Sequence, residues 1–419
     1  MPRETAQQAV ADSLARIAAR DTEVRAWLHV EDRGAHAAAY ALDAEPVPRG
    51  PLHGVPIGVK DVFDTADMPT THNSPLFSGH RPALDAGCVA TLRAAGAIVL
   101  GKTDTTEFAA AGRNAATANP HDLSRTPGGS SSGSAAAVAD GHVRLALATQ
   151  TGGSTIRPAS FCGIHGFKPT WGLVSREGVK VYANGLDTVA WHARSVDDLD
   201  LLCEAFALSP PPPAPSRPPR IALCRTPWWD QADPDGQAAV EGVAAALRQS
   251  GVTVTDIALP PLFDDAVRLY RALLFREGAA AFLGLARTRG ALLHADFHER
   301  VESAATHDDA DLLAAWTLAA EGRRAVEAML SDHDAILTPS APGVAPIGRA
   351  PGNPLFNQLW TMLHLPVVTL PLARGAHGLP IGVSLVAPRC RDRALLRLAR
   401  EVEARLGPLG IRPTCAARP

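Results

Sequence analysis

Residues 143–160 read VRLALATQTGGSTIRPAS, and a change of character halfway along this stretch decides the architecture. Val143 to Ala148 is a short apolar run of the kind that forms a buried strand. It passes directly into a polar, glycine-rich turn, Thr149 to Ser160, in which Ser154 follows Thr151, Gly152 and Gly153. A turn of this composition at a strand end lets several backbone N–H groups point at one spot. Upstream, a helix is expected to open within Ser134 to Ala139. Further out, Val55 to Val59 and Ala97 to Leu100 read as buried strands, with a helix over Ala83 to Ala95 between them and another over Val196 to Ala207. Strands alternating with helices predict an α/β fold built on a central sheet.

Residues 1–45 carry helical spacing of Ala, Leu, Val and Ile with charges between, as in two surface helices. Residues 46–208 hold the strand-and-turn pattern just described. Residues 209–219, from SPPPPAPSRPP, form a stiff polyproline-type linker that cannot join a sheet. In 220–334, Arg220 to Leu223 and Val252 to Ile257 read as strands around a helix at Ala238 to Arg248. Asp264 to Leu330 is then almost entirely helical, which predicts a cap. In 335–419, strands are expected at Ala335 to Thr338, Val367 to Leu370 and Ile381 to Val386, followed by a helix with a Leu395, Leu396, Leu398, Ala399 stripe. The last third should therefore rejoin the sheet of the first, giving one domain over 1–419. No internal repeat is present.

Composition narrows the function classes. The chain has 419 residues, 46% hydrophobic and 20% charged, with a formal net charge of −3. That balance excludes disorder and offers no basic footprint for nucleic acid or an acidic membrane. A small-molecule ligand is expected. The six cysteines are scattered without a CxxC pair, and a chain of this size needs no disulfide staples, so they read as reduced thiols. No apolar run approaches the roughly 20 residues that span a bilayer. The N-terminus also lacks the pattern of a signal peptide, so the cytoplasm is the expected location.

Only four of the 40 basic residues are lysines: Lys60, Lys102, Lys168 and Lys180. Arginine cannot give up its proton in proteins, so the few lysines are the places to look for proton chemistry. Two motif matches fail on physical grounds. Gly96 to Thr103 fits the phosphate-loop pattern GxxxxGK[ST], but Ala97 to Leu100 is an apolar strand whose N–H groups belong to sheet neighbours. Gly129 to Gly133 fits the GxSxG nucleophile elbow around Ser131, but a polar, proline-closed loop precedes it instead of a strand.

Three segments remain: Gly54 to Asp61 (GVPIGVKD), Pro127 to Ser134 (PGGSSSGS) and Thr149 to Ser160. Together with PLHGVP before the lysine, GKTxTTEFA at 101–109 and FCGIHGFKPT at 161–170, they resemble the amidase signature family from about Pro51 to Ser195. The 24-residue interval between Ser130 and Ser154 matches the family spacing. The resemblance implies a mixed central β-sheet covered by helices on both faces. It also implies a Ser, cis-Ser, Lys triad made of Ser154, Ser130 and Lys60. In that reading Lys60, kept neutral by burial, is the base. Ser130 relays the proton of Ser154, and the N–H groups of Thr151, Gly152, Gly153 and Ser154 hold the oxyanion, each donor being worth about 3–4 kcal/mol. No metal or cofactor is called for.

The expected activity is hydrolysis of a linear amide, carbamate or urea-type C–N bond. The alternatives are the glutamine-hydrolysing subunit of a tRNA-dependent amidotransferase, marked by a stable partner subunit, and a non-catalytic scaffold, which the complete triad opposes. A homodimer is left open. Three positions depart from the commoner family pattern: Gln150 stands where an acidic residue is usual, Arg157 lies three residues after Ser154 where two is frequent, and Ser132 replaces a glycine. Lys60 has an ordinary alternative as an ion-pair partner of Asp61 or Asp64. Lys102 and Lys168 read as structural, His165 as packed or hydrogen-bonded, and His307, Asp308 and Asp309 as a solvated turn. Trp228, Trp229, Phe275, Trp316, Phe356 and Trp360 are candidates for an aromatic pocket, core packing being the commoner role at such spacings.

Overall fold

The computed structural model describes residues 5–407, so Cys415 lies outside it. Eleven strands make one sheet: β1 (Trp27–Val30), β2 (Pro56–Lys60), β3 (Ile98–Thr103), β4 (Leu145–Gln150), β5 (His165–Lys168), β6 (Thr188–Ala193), β7 (Arg220–Cys224), β8 (Thr253–Ile257), β9 (Ala335–Pro339), β10 (Val367–Arg374) and β11 (Pro380–Val386). Their spatial order is β1-β3-β2-β4-β6-β5-β10-β11-β9-β7-β8. The sheet is mixed. β2 runs parallel to β3 and β4, and β7 parallel to β8 and β9, while the strands between these groups pair antiparallel.

Twelve α-helices accompany the sheet among the described residues. They are α1 (Ala6–Val24), α2 (Asp32–Asp43), α3 (Gly87–Ala94), α4 (Ser132–Ala139), α5 (Ile156–Cys162), α6 (Val196–Ala205), α7 (Pro234–Gln249), α8 (Ala266–Arg289), α9 (Ala295–Glu302), α10 (Asp309–Met329), α11 (Leu355–Met362) and α12 (Asp392–Leu406). Every residue of β2, β3 and β4 is buried, which is why these strands read as continuous apolar runs without alternation. One core cluster packs Ile57, Val59 and Leu147 with Trp191, Leu199 and Leu396. A second packs Ala135 to Val138 of α4 with Ile98, Leu100 and Ala146. On α12 the stripe Leu395, Leu396, Leu398 and Ala399 is buried. Each of its leucines contributes about 1.5–3 kcal/mol through removal from water.

The α/β expectation holds, with shifted element boundaries. The helix expected from Ala83 starts at Gly87. The one expected from Ala238 starts at Pro234, because proline is preorganised for the first helical turn. β1, β5, β6, α5 and α11 went unanticipated; they are short, and α5 carries Pro158 inside it. The His307, Asp308, Asp309 segment is a solvated turn, with Asp308 and Asp309 exposed. Asp308 accepts from the Asp311 N–H at 2.8 Å as the cap of α10, and Asp309 meets Arg276 of α8 at 2.6 Å on the surface.

Candidate active site

β2 and β4 are parallel neighbours, so their C-terminal ends emerge at the same edge of the sheet. Lys60 is the last residue of β2, and Thr149 and Gln150 close β4. The serine loop reaches this edge just before α4. There Lys60 Nζ lies 2.7 Å from Ser130 Oγ and 2.7 Å from Thr149 Oγ1. The Gly129–Ser130 peptide bond is cis. Ser131 fastens the loop to β4: its Oγ donates to the Thr149 carbonyl at 3.2 Å, and its N–H donates to the Ser154 carbonyl at 3.3 Å. Sequence position thus brings Ser131 to a scaffolding role, with Ser130 presented to the lysine.

Lys60 is fully buried, and burial pushes its pKa well below the ordinary 10.5, against a smaller opposing pull from the Asp187 carboxylate. No carboxylate lies within ion-pair distance of it among the described residues. Asp61, its neighbour in sequence, pairs with Lys102 instead. Lys102 also donates to the Phe63 carbonyl at 2.7 Å and to Thr70 Oγ1 at 2.6 Å from within β3, which places the supposed phosphate-loop lysine in a strand. Lys168 donates to the Pro169 carbonyl, and His165 contacts Glu403.

The turn after β4 is organised through its carbonyls. Those of Thr151, Gly152, Gly153 and Ser154 accept, in order, from Tyr270 Oη, Thr361 Oγ1, the Arg157 N–H and the Ser131 N–H. Among the described residues, no hydrogen bond claims the four N–H groups of the same residues. Those N–H groups are left open to an acceptor from outside the turn. Ser154 itself is buried. No hydrogen bond joins its hydroxyl to Ser130 among the described residues; the two loops meet through Ser131 instead.

The three departures acquire specific roles or surroundings. Gln150 Oε1 accepts from the N–H groups of both Thr155 and Ile156 at 3.0 Å, capping the first turn of α5, while its Nε2 donates to Thr361. Arg157 is 3% exposed and donates from Nη2 to the Gly129 carbonyl at 2.5 Å. Its Nε and Nη1 have no partner among the described residues. Ser132 opens α4. Sequence reasoning missed Thr149, Asp187, Tyr270, Thr361 and Asn357. Asp187 takes the Thr151 hydroxyl at 2.5 Å and the Tyr182 N–H at 2.6 Å, and burial raises its pKa. Tyr270 comes from α8, Asn357 and Thr361 from α11, and helical periodicity carries no signal for which residues reach a distant turn.

Of the aromatic candidates, Phe356 and Trp360 are core residues, Trp316 is exposed, and Phe275 lies under the Arg300 guanidinium at 3.8 Å. The aromatic cluster instead joins Phe108 and Tyr182, from the first part of the chain, to Phe282 of α8 and Phe297 of α9. Among the described residues no group of three or more His, Cys, Asp or Glu side chains is placed to hold a metal, and no helix is long and apolar enough to cross a membrane.

Comparison with known proteins gives the class of protein: the family model described as Amidase matches residues 8–396. The chain belongs to the amidase signature family. The glutamyl-tRNA(Gln) amidotransferase A-subunit of Anaeromyxobacter sp. (strain K) is 36% identical over 98% of this chain and 94% of its own. A solved amidase superimposes with a TM-score of 0.86 at 29% identity, covering 97% of each chain. The peptide amidase of Stenotrophomonas maltophilia gives 0.80 at 30% identity, over 96% of this chain and 94% of its own.

Proposed function

We propose that this protein hydrolyses a linear carboxamide, carbamate or urea-type C–N bond through an acyl-enzyme on Ser154. The observation that carries the reading is Lys60, a fully buried amine 2.7 Å from Ser130 Oγ with no carboxylate at ion-pair distance among the described residues. A neutral amine there accepts the Ser130 proton as Ser130 accepts that of Ser154. Ser154 Oγ then bonds to the substrate carbonyl carbon, and the oxyanion settles among the N–H groups of residues 151–154. Collapse breaks the C–N bond while the proton returns through Ser130 to the leaving nitrogen, and water releases the acyl group by the same relay.

The test is intact-protein mass after treatment with a fluorophosphonate. A single adduct on the wild type, abolished in Ser154→Ala and slowed in Ser130→Ala and Lys60→Ala, is expected. A folded wild type that stays unlabelled overturns the assignment.

The setting of this chemistry has two readings. A free-standing amidohydrolase is the first. The second, glutamine hydrolysis as one subunit of a tRNA-dependent amidotransferase, is favoured by the curated relatives, which match over nearly the whole chain. Ammonia release by the chain alone separates them. Turnover of simple amides without glutaminase activity supports the first, and glutamine turnover that requires a copurifying subunit supports the second.

A further inference from the structure

The polyproline-type segment at 209–219 belongs to no strand, and the proposed chemistry makes no use of it. It runs as a strap beside the first turns of α12. The Arg397 guanidinium holds it at the Pro212 carbonyl, and Arg217 anchors it to Asp334 at 2.8 Å. A cavity of about 430 Å³ lies between the strap, α12 and the turn before β9. That volume is in the range of small-molecule sites. Its apolar lining comes from Pro212, Pro213 and Pro215 of the strap and from the buried Leu330, Leu395 and Leu398.

The charges around the cavity do not balance. Its two carboxylates are each engaged by an arginine, Asp334 by Arg217 and Glu401 by Arg405. Arg391 and Arg397 also line it, and neither has a carboxylate at ion-pair distance among the described residues. Nδ1 of His333, on the same wall, is buried without a hydrogen-bond partner among them. An apolar pocket with spare cationic donors suits a ligand that has an apolar body and a single negative charge. Proline-rich segments pack well on aromatic rings, which favours a ring as that body.

We propose that this cavity is a second ligand site, and that it takes a monocyclic aryl carboxylate with its ring against the prolines and leucines and its carboxylate on Arg391 and Arg397. The site is separate from the Ser154 turn. It borders the start of β9, five places along the sheet from β4, a span of about 24 Å at the usual strand spacing. A ligand there ties the strap to α12, so occupancy raises thermal stability.

Benzoate, phenylacetate and hydrocinnamate, each beside the alcohol of the same carbon skeleton, are titrated calorimetrically into the full chain. At least one acid is expected to bind once per chain, tenfold or more tighter than its alcohol, and to raise the melting temperature. The double change Arg391→Gln, Arg397→Gln should remove that preference. Ala394→Phe, whose ring would occupy the cavity from α12, should abolish binding. Ligand-free melts show that the variants are folded. The proposal is overturned if no acid is preferred over its alcohol. It is equally overturned if the preference survives in either folded variant, which would put the acid elsewhere, as at the Ser154 turn. Acetate and inorganic phosphate binding as tightly as the aryl acids would overturn it too, leaving only a diffuse cationic surface.

Discussion

Lys102 Nζ and Asp61 Oδ1 lie 3.1 Å apart with both side chains fully buried. The pair accounts for the carboxylate next to Lys60 in sequence and leaves Lys60 facing hydroxyls only. Under the proposed function, two neighbouring residues thereby divide into a structural and a chemical role. Asp61→Ala strands the Lys102 charge and should cost about 3–5 kcal/mol of stability by urea denaturation. Lys60→Met keeps the volume and the fold, yet should slow fluorophosphonate labelling by about 10²–10⁴-fold. Equal effects of the two changes on both readouts would contradict the division.

The rate should follow the protonation of Lys60. Burial lowers its pKa in the folded protein, and only the neutral amine serves as base. Activity is therefore expected to rise with pH through an apparent pKa well below 10.5 and then to level off, and to be lost below that limb. A labelling-rate profile in pH settles it. A limb at the ordinary lysine value would show that Lys60 is not the titrating base.

Gln150→Ala should loosen the nucleophile turn. It leaves the Thr155 and Ile156 N–H groups without their acceptor and frees Thr361 from one of its partners. Loss of such a cap costs about 0.5–2 kcal/mol. The expected melt is lower by that amount, with labelling of Ser154 slowed, while Gln150→Glu, which keeps the acceptor, recovers most of the stability.

Lys168 gives a linkage prediction away from the chemistry. Burial lowers its pKa to about 7 from 10.5, partly offset by Asp392. Between those values the unfolded chain holds a proton that the folded chain does not, so stability rises with pH. The penalty is complete below pH 7 and gone above 10.5. Lys168→Met should raise the melting temperature near neutrality and flatten the stability curve across that window.

Much of this site was legible because its residues are crowded into unusual local strings. A serine run between glycines and a Thr-Gly-Gly-Ser turn after an apolar strand each announce backbone geometry, and only four lysines compete for attention. The α/β class followed from runs such as Leu145 to Ala148, which are buried on both faces and carry one dominant pattern. Tyr270, Asn357 and Thr361 were not legible. They reach the turn from helices more than 100 residues downstream, and a polar residue on an amphipathic helix looks the same whether it meets water or a backbone carbonyl. Arg157 was visible as a departure, but its lack of a counter-ion is a property of three-dimensional packing.

The N-terminal and C-terminal strands of the sheet meet at the β5–β10 pair, through Lys168, Phe167 and Gly166 opposite Val367, Val368 and Thr369. Lys60, Ser130 and Ser154 all come from the N-terminal side of that seam, whereas Tyr270, Asn357 and Thr361 come from segments threaded after it. Tyr270 and Thr361 donate to the Thr151 and Gly152 carbonyls across that seam, so the turn that carries Ser154 keeps its shape only when both halves of the sheet are assembled.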